Sequence, residues 1–389
     1  MKNHLAAQLA ALEQEGLRRR IATVVPREGP LVDVEGRQAI NLASNDYLGL
    51  AAHPALRAAA NRATAEQGTG ARGSRLVTGT LDLHLRLEES IARLLGTERA
   101  LLFGSGYLAH LGAIPALVGE GDILYSDERN HASIVDACRL SRATLRVYRH
   151  RDVNHLAFFL AGDAASKGRR LIITETVFSM DGDEAPLEDL CQVAEQYGAW
   201  LMVDEAHAFG IRGPGGAGLG AETGLGKRVH VWMGTLGKAA GSYGAYVAGC
   251  AELVDVLINR ARTFIYSTAL PPATVAASLA AIEIIAGPEG DGLRADLWRV
   301  GHALQEGLVA QGWRLAQVSG PIFPLLVGDP AQAVAFADRL LERGILLRAM
   351  RYPTVPRGTD RLRLVASAAL LPEHIQKTLT VLDEVVKEL

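Results

Sequence analysis

The sequence contains few cysteines and carries almost no net charge. Its three cysteines, Cys138, Cys191 and Cys250, are widely spaced and form no C-x-x-C pair, which argues against a disulfide framework and a thiolate metal site. The formal net charge is −3, with acidic and basic residues interspersed, so no global field would attract nucleic acid or an anionic membrane. We therefore expect a protein of a reducing, cytoplasmic compartment whose ligands are selected by local pockets.

Long apolar runs are also absent. Residues 1–20 include two glutamates and end in three arginines, which predicts a surface helix and not a secretory signal. The most apolar stretch, 269–286, is interrupted by two prolines and a glutamate, so it is too short to cross a bilayer and predicts a buried helix. With 389 residues, of which 49% are hydrophobic, the chain predicts one large core and a smaller second domain.

Six short apolar runs alternate with helix-length segments through the middle of the chain. We predict them as buried strands, at 100–103, 123–125, 171–174, 200–203, 229–233 and 246–249. Strands alternating with helices predict an α/β fold with a mostly parallel sheet, and ligands of such sheets gather at the carboxyl ends of the strands. The residues to read for chemistry therefore follow the runs, at 105–107, 127–131, 175–181, 204–207 and 235–238.

The pattern changes after a Gly/Pro-rich stretch at 287–292, where a smaller α+β arrangement begins. We predict three regions: an N-terminal helix and arm at 1–40, a large domain at 41–287, and a small C-terminal α+β domain at 288–389.

Two local motifs suggest nucleotide chemistry, and each lacks a required partner. Segment 204–207 reads Asp-Glu-Ala-His, the letters of a helicase box, but no G-x-x-x-x-G-K-[ST] loop exists, since Trp232 and Ala239 stand where a glycine and a hydroxyl are needed. Segment 104–109 resembles the dinucleotide fingerprint G-x-G-x-x-A, but no clear acid ends a second strand about 20 residues on. What remains is either a tight turn or an anion site for some phosphate at a helix N-terminus.

A metal site is not indicated either. His131, His207 and Asp204 could be proposed as ligands, but no third histidine or cysteine is suitably spaced for zinc.

The residues after the strands do supply what pyridoxal-phosphate chemistry needs, namely an imine-forming lysine, an acid for the pyridine nitrogen and a phosphate anchor. Lys238 lies in a small-residue loop after a strand, although a solvated surface lysine is the alternative. Asp204 ends an apolar strand, where an unpaired carboxylate would be costly and a protonated ring nitrogen would be its natural partner. His207 follows three residues later and could donate to the phenolic oxygen of the ring.

Seven motifs in order resemble the α-oxoamine synthase family of fold-type I pyridoxal-phosphate enzymes, at 44–49, 73–79, 131–133, 178–183, 204–207, 235–238 and 266–268. The resemblance covers almost the entire chain. It implies a pyridoxal-phosphate-dependent acyltransferase with a large domain around a mostly parallel sheet and a smaller α+β C-terminal domain. It also implies a homodimer with shared active sites.

The resemblance assigns roles around the cofactor ring. Lys238 would hold the cofactor covalently and remove the α-proton of the amino acid. His131 would stack on the ring and Asp204 would pair with the ring nitrogen. Ser179 and His207 would hydrogen-bond the phenolic oxygen.

The same resemblance assigns the phosphate anchor. The backbone at Gly106 and Tyr107, together with Thr235, would hold the phosphate. Ser267 and Thr268 would reach the phosphate of the neighbouring subunit's cofactor.

The substrates are implied by the stretch 353–359, which resembles the P-T-V-P-x-G-T segment of the biotin-pathway branch of the family. That branch implies condensation of L-alanine with a pimeloyl thioester carried on coenzyme A or acyl carrier protein. Arg351 would clamp the amino acid carboxylate, for which a bidentate guanidinium is suited, although a surface arginine is the alternative. Asn45 and Arg18 would help to receive the substrates. The rival interpretation is another member of the family, such as glycine C-acetyltransferase, using glycine or serine with a different thioester.

Three positions depart from the family pattern. Leu370 stands where histidine usually follows two alanines, His110 stands where asparagine is common, and Arg72 replaces a usual glycine. None of them removes a group from the implied mechanism.

Overall fold

The computed structural model describes residues 1–315 and 320–388. The helices are α1 Lys2–Gln14, α2 Pro54–Gln67, α3 Asp82–Leu95, α4 Gly106–Leu117, α5 Ala132–Ser141, α6 Val153–Gly162, α7 Leu187–Gln196, α8 Leu219–Glu222, α9 Ala251–Arg260, α10 Arg262–Ile265, α11 Pro272–Ala286, α12 Pro288–Ala310, α13 Pro330–Glu342 and α14 Pro372–Glu388. The strands are β1 Val24–Pro26, β2 Leu31–Val34, β3 Arg37–Asn41, β4 Arg99–Phe103, β5 Ile123–Asp127, β6 Thr144–Tyr148, β7 Arg170–Glu175, β8 Trp200–Asp204, β9 Val231–Thr235, β10 Ala245–Gly249, β11 Ile322–Leu326, β12 Ile345–Leu346, β13 Ala349–Met350 and β14 Arg361–Val365.

The chain divides into two structural units. The larger unit comprises Leu50–Ser179 and Glu184–Arg294, and the smaller unit comprises Met1–Gly49, Met180–Asp183 and the chain from Ala295 onward. The domain boundaries predicted at 40/41 and 287/288 stay a prediction.

A seven-stranded sheet forms the centre of the larger unit, in the order β4-β10-β9-β8-β7-β5-β6. Strands β5 to β9 run parallel, and β10 runs antiparallel to both β4 and β9. The mostly parallel α/β sheet predicted from the sequence is therefore confirmed, and the six predicted strands correspond to β4, β5, β7, β8, β9 and β10.

Strand β6 was not predicted, and its position in the sheet explains why. It lies at one edge of the sheet, where it pairs with β5, and most of its residues are exposed or half-buried. Such a strand carries no continuous apolar run, which was the signal that identified the other six.

Helices α4, α5 and α9 pack their apolar residues against the sheet. Leu124 and Ile173 on the strands share a buried cluster with Ala113 on α4, Ile134 on α5 and Leu257 on α9. Helix α4 is apolar on almost every side and is correspondingly buried, as expected for a helix without a polar face. This packing fixes the first turn of α4 at the carboxyl end of β4.

The register of the parallel strands aligns their carboxyl ends. Glu175 on β7 lies opposite Asp204 on β8, which in turn lies opposite Met233 on β9. The polar residues that end these strands and begin the following loops therefore occur at one edge of the sheet.

The predicted helix at 269–286 is confirmed as α11, whose residues are mostly buried. Within residues 1–315 and 320–388, no helix combines the length and apolar character needed to span a membrane.

The smaller unit is α+β, as predicted. One sheet has the order β1-β2-β3-β12 and a second, antiparallel sheet has the order β11-β14-β13. Helix α1 has no buried residue, which confirms the predicted surface helix near the N-terminus. The Gly/Pro-rich stretch at 287–292 is not a loop, because α12 begins at Pro288 and continues through it. Proline suits a first helical position, where its missing N–H has no partner to lose.

Candidate active site

Lys238 and His207 form the centre of a polar cluster in the larger unit. Lys238 lies in the loop that follows β9, and His207 lies in the turn that follows β8. Lys238 Nζ is 2.8 Å from His207 Nε2, and the histidine is almost fully buried. The loop brings the amine to the carboxyl edge of the sheet, as the sequence predicted.

Asp204 ends β8 with only 5% of its surface exposed. The backbone N–H of Ala206 donates to Asp204 Oδ1 at 2.8 Å, and His110 Nε2 lies 3.5 Å from Asp204 Oδ2. A buried carboxylate with so few donors is costly unless a cation is nearby. Asp204 is thus suited to face a protonated ring nitrogen.

His131 caps the N-terminus of α5. Its Nδ1 lies 2.7 Å from Ser133 Oγ, and Ser133 Oγ lies 2.9 Å from His110 Nδ1. His131 keeps part of its surface exposed, yet the protein atoms packed around its ring lower its pKa. Lys238 acts in the same direction and Asp204 opposes it. A neutral imidazole at this position can stack on an aromatic ring without adding positive charge.

Glu175 was not assigned a role from the sequence, although it begins the segment 175–181 that the strand-end rule selected. Burial, with a smaller contribution from Asp204, raises its pKa to about 8, although Lys238 acts in the opposite direction. Ser179 donates its backbone N–H to Glu175 Oε2 at 3.2 Å. Glu175 Oε1 is buried and has no hydrogen-bond partner among the described residues. The carboxyl group therefore holds the turn that carries Ser179 in place.

Thr235 ends β9 and stabilises the loop that carries Lys238. Its hydroxyl donates to the carbonyl of Gly244 at 3.0 Å and accepts the N–H of Gly237 at 3.2 Å.

The first turn of α4 is suited to bind an anion. Ser105 Oγ accepts the N–H of Leu108 at 3.3 Å, and the Tyr107 hydroxyl donates to Asp136. A Cβ at Gly106 would lie 2.9 Å from Met233 Cε, so the backbone at this position stays bare of a side chain. Unsatisfied N–H groups at a helix N-terminus favour a phosphate.

These residues fit pyridoxal phosphate. An amine, a buried carboxylate and a helix N-terminus occur at the carboxyl ends of β9, β8 and β4 in the same unit. Lys238 affects the pKa values of His110, His131 and Glu175, which indicates that its ammonium lies within electrostatic reach of the whole cluster. Lys238 would hold the cofactor covalently, Asp204 would face its nitrogen, and α4 would hold its phosphate.

Ser267 and Thr268 follow α10, in the same unit. Thr268 pairs with Ser74 in an isolated antiparallel bridge, and its side chain is exposed. An exposed hydroxyl is available to a second molecule.

Three predicted substrate residues, Asn45, Arg351 and Arg18, belong to the smaller unit. Asn45 Oδ1 accepts a hydrogen bond from Arg363 Nη1 at 2.9 Å and from the Tyr47 hydroxyl at 3.4 Å. Arg363 is buried on β14 and was not identified from the sequence, because an arginine in a strand pattern gives no signal of its own.

Arg351 is held by backbone carbonyl groups. Its guanidinium donates to Gly16 and, at 3.4 Å, to the carbonyl of Arg18. Burial lowers its pKa, and the nearby charge of Arg19 acts in the same direction. The side chain of Arg18 instead pairs with Glu13 at 2.9 Å on the surface. Arg351 is therefore preorganised, whereas Arg18 contributes its backbone to that arrangement.

In the part of the chain that the structure describes, no group of three or more histidine, cysteine, aspartate or glutamate side chains is placed to hold a metal ion.

Comparisons with known proteins identify the family. The family model of class I and II aminotransferases matches residues 37–382. The chain is 50% identical to an 8-amino-7-oxononanoate synthase of Anaeromyxobacter dehalogenans, over 99% of this chain and 96% of that protein. It is 47% identical to an 8-amino-7-oxononanoate synthase of Geobacter sulfurreducens, over 100% and 99% of the two chains.

A solved structure of a serine palmitoyltransferase from S. paucimobilis, with a bound PLP–myriocin aldimine, aligns with a TM-score of 0.94. It is 30% identical and covers 99% of this chain and 97% of its own. The comparisons confirm the predicted fold class, the enzyme class and pyridoxal phosphate as the cofactor. The chain therefore belongs to the α-oxoamine synthase family of fold-type I pyridoxal-phosphate enzymes, on the branch of the 8-amino-7-oxononanoate synthases.

Proposed function

We propose that the protein condenses L-alanine with a pimeloyl thioester to form 8-amino-7-oxononanoate, a step of biotin biosynthesis. The proposal rests on the 2.8 Å contact of Lys238 Nζ with His207 Nε2 beside the buried carboxyl group of Asp204. It is supported by the 50% sequence identity to an 8-amino-7-oxononanoate synthase. The likeness to serine palmitoyltransferases is lower in identity, at 30%, and supports the fold and the cofactor more than the substrate.

Bound pyridoxal phosphate supplies an electron-poor ring that stabilises negative charge at the α-carbon of an amino acid. Asp204 would face the ring nitrogen, because its buried carboxyl group receives few donors from the protein itself and a protonated nitrogen would complete it. His131 and Ser179 would border the ring, and each is anchored locally, by Ser133 and Glu175 respectively.

Lys238 Nζ takes the α-proton of L-alanine, and His207 Nε2 accepts a hydrogen bond from the amine and holds it in place. The α-carbon bonds to the thioester carbonyl carbon, and the carbon–sulfur bond breaks with release of the thiol. The alanine carboxyl group leaves as carbon dioxide, and a proton returned by Lys238 takes its place at the α-carbon.

Arg351 would bind the alanine carboxylate. Its guanidinium is already oriented by two backbone carbonyls, and its Nε is buried without a hydrogen-bond partner among the described residues. A planar guanidinium with a remaining donor suits a carboxylate. Asn45, held by Arg363, and Arg18 would border the incoming substrates.

Mass spectrometry of the products tests this function. Purified protein with pyridoxal phosphate, L-alanine and pimeloyl-coenzyme A is expected to release 8-amino-7-oxononanoate, free coenzyme A and carbon dioxide in equal amounts. Pimeloyl-acyl carrier protein serves as the second donor in the same assay. Absence of the amino ketone with both donors would refute the proposal.

The same assay separates the rival within the family. We expect L-alanine to be preferred over glycine and L-serine when each is offered with its matching thioester. Faster turnover of glycine with acetyl-coenzyme A would assign the chain to the glycine C-acetyltransferases instead.

A homodimer with shared active sites forms part of the proposal. Four large apolar side chains of the larger unit are more than half exposed: Leu76, Val77, Tyr243 and Tyr266. Leu76 and Val77 belong to the short π-helix Arg75–Gly79, which follows the bridge from Ser74 to Thr268. Large apolar side chains that are exposed to this extent support a surface that a partner subunit covers.

Subunit complementation tests the shared site. A hybrid of Lys238→Ala subunits with Ser267→Ala/Thr268→Ala subunits is expected to regain about half the wild-type activity per dimer, because one of its two sites would combine intact groups. If Ser267 and Thr268 act within their own subunit, the hybrid gains nothing over the separate variants.

A cytoplasmic location is also proposed. All three cysteines are unpaired, and Cys250 is exposed, which suits a reducing compartment.

A further inference from the structure

His110 departs from the family pattern, and the structure places it behind the cofactor site. It lies on α4, is 1% exposed, and faces two neighbours of different kinds. Its Nε2 lies 3.5 Å from Asp204 Oδ2 and has no hydrogen-bond partner among the described residues. Its Nδ1 lies 2.9 Å from the hydroxyl of Ser133.

A continuous polar chain runs from Asp204 to His131. Ser133 Oγ, on α5, is within hydrogen-bond distance of both His110 Nδ1 and His131 Nδ1, at 2.9 and 2.7 Å. Ser133 is itself buried, so no water competes for its single proton. A hydroxyl that contacts two ring nitrogens can donate to only one of them and must accept from the other.

The protonation state of His110 follows from its surroundings. Burial lowers its pKa to about 4, while Asp204 raises it and Lys238 and His131 lower it. At neutral pH the ring therefore carries one N–H. A lone pair on Nε2 would face the carboxylate of Asp204, so the proton belongs on Nε2 and the lone pair on Nδ1.

Each proton position then fixes the next one. Ser133 must donate its hydroxyl proton to His110 Nδ1, and its oxygen is left to accept a proton from His131 Nδ1. A second contact opposes this arrangement, because the backbone N–H of Ser133 points at His131 Nδ1 from 3.3 Å and requires a lone pair there. The two contacts demand opposite tautomers of His131, and the shorter contact is the one connected to Asp204.

We propose that His110 is a positioning residue that transmits the charge of Asp204 through Ser133 to His131, and so keeps the proton of His131 on Nδ1. In this arrangement the Nε2 lone pair of His131 remains available, and the ring is fixed in one orientation. An N–H on His110 Nε2 also places a positive dipole 3.5 Å from Asp204 Oδ2. The inference rests on the proposed use of this site for pyridoxal phosphate.

Three substitutions test the relay. His110→Leu removes both ring nitrogens. His110→Asn is the matched control, because an amide keeps a donor for Asp204 and an acceptor for Ser133. Ser133→Ala cuts the link to His131 and leaves His110 beside Asp204.

The readouts are the tautomer of His131 and the affinity for pyridoxal phosphate. Nitrogen-15 NMR of histidine-labelled holoenzyme, with the His131 signals assigned by their loss in His131→Asn, reports which ring nitrogen carries the proton. Equilibrium dialysis reports the dissociation constant of the cofactor.

We expect the proton on Nδ1 of His131 in the wild type and in His110→Asn, and on Nε2 in His110→Leu and Ser133→Ala. The cofactor should bind roughly tenfold more weakly to His110→Leu, since the polar N–H beside Asp204 is lost, but within about threefold of wild type to the other two variants. If His110→Leu does not fold, Ser133→Ala and His110→Asn still decide the question.

A proton on Nε2 of His131 in the wild type, or the same tautomer in wild type and Ser133→Ala, would overturn the inference. These outcomes differ from a failure of the proposed function. In that case the wild type would bind no pyridoxal phosphate, whereas the His131 tautomer could still be read by the same NMR measurement on the cofactor-free protein.

Discussion

Two buried carboxyl groups follow one another at the carboxyl end of β8, and their surroundings differ. Asp204 belongs to what we call the cofactor cluster, with Lys238, His207 and His131. It receives one backbone N–H at 2.8 Å, and the neighbouring nitrogen of His110 is 3.5 Å away.

Glu205 belongs to a second group, the Glu205 anchor, formed with Thr176, Leu219 and Gly220. Its carboxyl oxygens accept the Thr176 hydroxyl at 2.8 Å and the backbone N–H groups of Leu219 and Gly220 at 3.1 and 2.9 Å. A Cβ at Gly218, where φ is +110°, would lie 2.8 Å from Glu205 Cδ, so the backbone approaches the carboxyl group closely. The anchor joins the end of β8 to α8.

The comparison separates a structural polar group from a functional one. Burial is similar, at 1% exposed for Glu205 and 5% for Asp204, so burial does not distinguish them. The two carboxyl groups differ in how many hydrogen bonds they accept from the protein. Glu205 accepts three hydrogen bonds from the Glu205 anchor. Near Asp204, by contrast, buried polar atoms of His110 and Glu175 have no hydrogen-bond partner among the described residues. Unsatisfied buried groups are costly and persist where a ligand completes them.

Replacement of the cluster's lysine should have the largest effect. Lys238→Ala is expected to lose the near-visible absorption of the bound cofactor, because the covalent attachment is removed. It should also lower kcat/KM by roughly 10²–10⁴-fold, because the base is removed. Absorption spectra and steady-state kinetics measure this. Lys227→Ala, an exposed lysine of the same unit, is the control and should match wild type. Retention of borohydride-trapped cofactor in Lys238→Ala would contradict the assignment.

Asp204→Asn should give the next largest effect. The amide keeps the size of the side chain and removes its charge, so we expect a loss of roughly 10²–10³-fold in kcat with little change in melting temperature. Glu205→Gln is the matched comparison at the adjacent position. Glu205→Gln should leave the absorption spectrum of the bound cofactor unchanged. If kcat fell equally in the two variants, Asp204 and Glu205 would not differ in function.

Replacement of Glu205 should change the free energy of unfolding and leave the kinetic constants close to those of wild type. Burial raises the pKa of Glu205 from 4.5 to about 7, and its three donors oppose that shift. The folded state therefore binds a proton more tightly than the unfolded state does. Glu205 therefore stabilises the folded state fully below about pH 4.5, and this contribution is lost as the pH rises through about 7. The free energy of unfolding should fall by about 3 kcal/mol over this range.

Glu205→Gln cannot titrate, so its stability should be flatter than that of wild type between pH 4.5 and 8. Denaturant unfolding of both proteins across this range measures the difference, in which the contributions of other groups cancel. Parallel profiles would mean that Glu205 stays ionised throughout, held by its donors.

Much of the fold and of the cofactor cluster could be predicted from the sequence. The strands β7, β8 and β9 are buried on both faces and therefore read as apolar runs, and the rule that ligands gather at their carboxyl ends selected Asp204, His207 and Lys238. Strand β6 was missed because its exposed residues carry no continuous apolar run. The start of α12 at Pro288 was missed because a Gly/Pro-rich composition is more typical of a loop.

The partners of the site residues could not be predicted. Glu175 and Asp204 are 29 positions apart and become neighbours only through the register of β7 and β8. His110 and Ser133 meet because α4 and α5 pack side by side on the sheet, and no spacing in the sequence encodes that contact.

The sequence by itself determined the kind of chemistry, since the identity and order of the lysine, the acid and the histidines are local properties of strand ends and loops. Only the tertiary structure decided which buried polar groups the protein satisfies and which it leaves for a ligand. The physical reason is that a hydrogen bond depends on distances of a few ångströms between segments far apart in the chain, and these are fixed by packing and strand register.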